Sequence, residues 1–149
     1  MTRPAILSLL AVVGAAAGSL ALAAPSFAGL ASDWSKSADA ICVRYHKEAV
    51  RIAQPTSSKS LITASQALAA IEQRKTRDLA KLRRPAGEAA AIGKLIGFFE
   101  QQVVMLRNLI DAVKRDDGAR IKEVMAEGSA QNESAVRLAK KLGAVKCAG

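Results

Sequence analysis

The chain predicts an all-α fold: an antiparallel, up-down-up-down four-helix bundle closed by one disulfide and preceded by a signal peptide. Three observations predict it. Apolar residues recur at steps of three and four in four separate stretches, divided by Pro, Gly and Ser clusters. Aromatic residues make up only 3% of the chain, so the core must be built from Leu, Ile, Val and Ala, which is helix-bundle composition. The chain holds two cysteines, Cys42 and Cys147, one toward each end of the helical region.

The N-terminal segment reads as an export signal. Arg3 supplies one positive charge, and no charged residue follows from Ala5 to Ala24. Pro25-Ser26-Phe27-Ala28 then places two small residues two apart, the pattern of a signal-peptidase site, with Pro25 breaking the helix before it. Residues 1–28 are therefore expected to be removed after Ala28, with Ala24 as the second choice. The alternative is an uncleaved anchor, because about 20 apolar residues can span a bilayer. Gly14, Gly18 and many alanines weaken that alternative. No cysteine lies near the cleavage region, which argues against a lipid-modified N-terminus.

One domain is expected over residues 29–149. Arg3 is the sole charged residue removed with the signal, so 21 basic and 13 acidic residues remain, a net charge of +8. Such a charge favours anionic partners, and also serves plain solubility. In an exported protein the anionic partners would be envelope polymers, lipid head groups or acidic proteins; nucleic acid is not expected there.

The first helix is expected to start near Ser32-Asp33 or Ser35 and to run to about Gln54, stopped by Pro55. Its apolar stripe is Trp34, Ala38, Ile41, Tyr45, Ala49 and Ile52. The second starts in Thr56-Ser57-Ser58 and reaches Arg84, ended by Pro85 and Gly87. Leu61, Ala64, Leu68, Ile71, Leu79 and Leu82 form its stripe, interrupted by Lys75. The third carries a heptad seam, Ile92, Ile96, Phe99, Val103, Leu106, Ile110 and Val113. Leu95, Phe98 and Leu109 widen that face, which predicts two neighbours. Asp116-Asp117-Gly118 ends it. The fourth runs from about Ala119 to Leu142, with Ile121, Val124, Met125, Ala135, Leu138 and Leu142 inside. Gly128 falls in its middle and costs about 1 kcal/mol against Ala. A three-helix core with the fourth helix split at Gly128 is the alternative fold. Gly143 stands where a left-handed C-cap belongs.

Short connections between long helices favour antiparallel neighbours. That order places the start of the first helix and the end of the last at one end of the bundle, where Cys42 and Cys147 can meet. Export supplies an oxidising compartment in which their disulfide persists. A redox role would want a Cys-x-x-Cys pair, which the chain lacks.

No catalytic, cofactor or metal constellation emerges. His46 is the single histidine, and one histidine cannot build a histidine metal site. A haem ligated by His46 with Met105 or Met125 is disfavoured, since His46 falls about 100° from the apolar stripe of its helix. No Cys-x-x-Cys-His, phosphate loop or Gly-x-Ser-x-Gly elbow is present. Arg74, Arg77, Lys81 and Arg84 recur at steps of three and four within about 80° of arc, extended by Arg83. They form a candidate basic stripe for an anionic polymer or lipid surface. No aromatics interleave, so base stacking is not supported. Lys75 is expected to snorkel or to pair with Glu72, Asp78 or Asp111. Gln131 and Asn132 are boundary or polar-layer candidates. Gly93 and Gly97 form a Gly-x-x-x-Gly step that permits close helix approach.

Ile41-Cys42, then Leu79, Leu82, Pro85 and Ala86, then Leu142, Gly143, Cys147 and Ala148 resemble a pattern in small exported bacterial helical-bundle proteins of uncharacterised function. The resemblance implies the disulfide-closed bundle and no activity. The expectation is thus a non-catalytic, envelope-associated binding or structural protein. The alternative is an exported carrier of a small apolar ligand or haem.

Overall fold

Periodicity and punctuation divide the chain into helices, and a computed structural model, which describes residues 33–149, has four of them and no strand among the described residues. The expected signal segment, with its expected cleavage sites at Ala24 and Ala28, lies outside the described residues. The helices are α1 (Asp33–Ala49), α2 (Ser58–Ala80), α3 (Ala89–Lys114) and α4 (Gly118–Lys141), followed by a short 3-10 helix at Val145–Ala148.

Two helices stop about a turn sooner than the sequence suggests. The first ends at Ala49, not Gln54, tightening through Arg51 N–H to Glu48 O and Ile52 N–H to Ala49 O. The second ends at Ala80, not Arg84, with Lys81 as its C-cap. Proline explains both. It cannot donate to the carbonyl four residues back, and it drives its predecessor toward extended backbone. Pro55 and Pro85 thereby take the last helical turn with them. The start of α2 is secured by a capping box in which Ser57 and Ser60 each accept from the other's backbone N–H.

The two later helix ends are closed by the same device. Gly143 adopts φ 73°, with Gly143 N–H bonded to Lys140 O and Ala144 N–H to Ala139 O, a Schellman motif. Asp116 takes the equivalent place after α3 at φ 53°, with Asp116 N–H on Val113 O and Asp117 N–H on Ala112 O. Asp117 then caps α4 by accepting from Arg120 N–H. The connection from α3 to α4 is consequently tight.

The core gathers Trp34, Ala38 and Cys42 of α1, Leu79 of α2, Ile92, Leu95, Ile96 and Phe99 of α3, and Ala135 and Ala139 of α4. Leu142 and Ala144 complete it at the C-terminal end. Helix α3 packs on both α2 and α4, as its broad apolar face requires. It has the length and hydropathy to cross a bilayer, and here its apolar side supplies core residues. Helix α4 runs unbroken through Gly128, so the split-helix alternative does not apply. Met105 Cε lies 3.6 Å from where a Cβ on Gly128 would sit, an ordinary contact distance, so α3 and α4 meet here through this side chain.

Helix α1 is attached differently. Its backbone approaches α2 and the 3-10 helix, and comes within 8 Å of neither α3 nor α4. The C-terminal turn is fastened to α1 by the Cys42–Cys147 disulfide, with Cα atoms 5.1 Å apart, and by Lys146 N–H donating to Asp39 Oδ1 at 2.7 Å. The crosslink thus ties α1 to the C-terminal turn, which itself lies against α4.

Candidate functional site

The basic stripe is the site the sequence proposed, and its five residues fall into different settings. Arg74 and Arg77 lie on α2, Lys81 caps it, and Arg83 and Arg84 stand in the connection to α3. The single helical stripe is therefore shortened, for the proline reason given above.

Arg74 and Lys81 are drawn into a network across the α1–α2 interface. Arg74 reaches Glu48 at 2.6 Å, and Lys81 reaches Asp78 at 3.2 Å. Asp78 also receives Arg44 at 2.5 Å and the Tyr45 hydroxyl at 2.7 Å. The guanidiniums of Arg44 and Arg74 lie 4.6 and 5.8 Å from the centre of the Tyr45 ring, within cation–π range. Hydrogen bonds from Tyr45 and then Lys81 hold the Asp78 carboxyl below its ordinary value. Burial, and then the bond to Asp78, push the Tyr45 hydroxyl above its own. Two acids and three cations thus satisfy one another around a buried tyrosine, and this part of the stripe holds two helices together.

Arg84 lies over α3, with Nη1 3.5 Å from where a Cβ of Gly93 would be. Only this flexible side chain approaches Gly93, and nothing stands within 4 Å at Gly97, so the Gly-x-x-x-Gly step is not a helix crossing. Arg77 and Arg83 are exposed and make no ion pair among the described residues.

Lys75 resolves as an ion pair. Its Nζ lies 2.5 Å from Glu72 Oε2 and 4.2 Å from the centre of the Phe99 ring, with side chains only 13% and 20% exposed for Lys75 and Glu72. Gln131 bonds to Gln101 and Asn132 accepts from Gln102 at 3.3 Å, two amide bridges along the rim between α3 and α4. His46 is exposed on α1, while Met105 is half-buried at Gly128 and Met125 half-buried on α4. No protein-family model, curated protein or solved structure matches the chain.

A second feature was not legible in the sequence. Phe98 of α3 and Leu138 of α4 pack partly buried against the core and floor a shallow groove of about 270 Å³. Lys94, Arg137, Lys141 and Ser134 complete its lining. The sequence marked both floor residues as inward-facing. Only the pairing of α3 with α4 brings three cations from two helices to the edges of one apolar strip.

Proposed function

We propose that the protein is exported and acts, without catalysis, as an envelope protein that contacts phosphate-bearing anionic polymer or lipid head groups. The observation that carries this reading is the pair Arg77 and Arg83, exposed cations with no acidic partner among the described residues, on a domain of net charge +8. Where acids are available, as at Glu48 and Asp78, they are already matched to other cations. Unmatched surface cations draw anions from solution, and the attraction is screened by salt.

Export is supported by the signal pattern ahead of Ala28 and by the Cys42–Cys147 bond, which persists in oxidising compartments. The up-down-up-down order is supported by opposed residue pairs. Arg44 meets Asp78 while Glu48 meets Arg74, and Met105 meets Gly128 while Gln101 meets Gln131.

Sedimentation with vesicles containing phosphatidylglycerol, and titration with poly(glycerol phosphate), test the contact. Binding should weaken with added salt and fall several-fold in Arg77→Gln/Arg83→Gln, at an exposed-cation scale of about 0.2–1 kcal/mol each. Undiminished binding by the double variant rejects these residues as the contact.

A further inference from the structure

We propose that the groove between α3 and α4 binds a single-chain anionic amphiphile with a carboxylate head, that is, a free fatty acid. The site is separate from Arg77 and Arg83 and does not depend on their role.

The groove combines two chemistries that such a ligand needs. Its floor, Phe98 and Leu138, is apolar and continuous with the core, so an alkyl chain laid on it leaves water. Its remaining lining is Lys94, Arg137, Lys141 and Ser134, with no acid among the six residues. Arg137 Nη2 donates to Ser134 Oγ at 3.0 Å, and that hydroxyl donates to Ala130 O at 3.1 Å, which steadies the guanidinium on the α4 backbone. Glu133 touches Arg137 at 3.6 Å, but both side chains are about two-thirds exposed, so this pair is weak and easily exchanged. A planar guanidinium accepts a carboxylate in a bidentate fork. Lys94 Nζ stands 6.0 Å from the centre of the Phe98 ring, close enough to neutralise a head group above the aromatic floor.

Charge complementarity selects the ligand class. A neutral chain would make no use of the cations Lys94, Arg137 and Lys141, and a free inorganic anion would make no use of Phe98 and Leu138. An amphiphile with one anionic end uses both parts.

The test is an NMR titration of the oxidised domain with laurate below its micellar concentration, with dodecyl maltoside and inorganic phosphate as parallel arms. Saturable shifts at Phe98, Ser134 and Leu138 with laurate, and not in the other two arms, are expected. Lys94→Gln/Lys141→Gln, which alters exposed residues, should weaken laurate binding about tenfold. Leu138→Gln should abolish it while the spectrum outside the groove stays folded. Arg77→Gln/Arg83→Gln should leave laurate binding intact, which separates this site from the proposed polymer contact. No saturable shift with laurate, or equal response to dodecyl maltoside or phosphate, overturns the proposal.

Discussion

Tyr45 donates its hydroxyl to the carboxylate of Asp78 at 2.7 Å, joining α1 to α2 through a buried ring with a polar tip. The bond lowers Asp78, while burial first and then the bond raise Tyr45, and this gives stability two pH limits. Asp78 is held below its ordinary 3.8, so its contribution is complete above that value and is lost as pH falls through the lowered one. Tyr45 is raised above 10.0, so its contribution is complete below that value and is lost as pH rises through the raised one. Urea unfolding followed from pH 2 to 11 should therefore show Asp78→Asn flattening the acid limb. Tyr45→Phe should remove the tyrosine's part of the alkaline limb and reduce the acid one. Limbs unchanged in both variants would show that this bond does not form in solution.

Reduction of Cys42–Cys147 should loosen one helix before the rest. A crosslink closing a loop of this length, with a sequence separation of 105, is worth up to ~4.7 kcal/mol in the chain-entropy model. Because α1 lacks direct backbone approach to α3 and α4, amide exchange in Asp33–Ala49 should accelerate most in Cys42→Ser/Cys147→Ser. Protection lost evenly across all four helices would contradict this attachment scheme.

Lys75 and Glu72 form an ion pair largely withdrawn from water over Phe99. Lys75→Met alone should cost about 1–3 kcal/mol, because it leaves the buried Glu72 Oε2 without its cation. Lys75→Met/Glu72→Leu should recover much of that loss, since two apolar side chains carry no desolvation penalty. A chemical-denaturation double-mutant cycle decides it: strictly additive losses would mean that the pair is not coupled.

Much of this arrangement was legible in the residues. The alternation of steps of four and three from Ile92 to Val113 marked α3, and Gly143 marked the end of α4. Lys75 was placed with Glu72 as one of three acid candidates. Helix ends before proline were less legible, because the sequence shows where Pro85 stands and not how many residues it unwinds. The small buried residues Ser35, Ala112 and Ala139 were missed, since hydropathy stripes favour bulk over fit. The division of the basic stripe was hidden too. Arg74 and Lys81 meet acids only after α1 and α2 pack, and neither Glu48 nor the role of Tyr45 could be assigned from spacing. Distant pairs of this kind depend on tertiary contact, and local periodicity carries no information about them.

Export and the single internal crosslink are read together in the intact mass of the protein taken from its native cells without reductant. The chain should begin at Gly29 and be two hydrogens lighter than its dithiol form. A chain that retains Met1 and carries two free thiols, recovered from the cytosolic fraction, would contradict it.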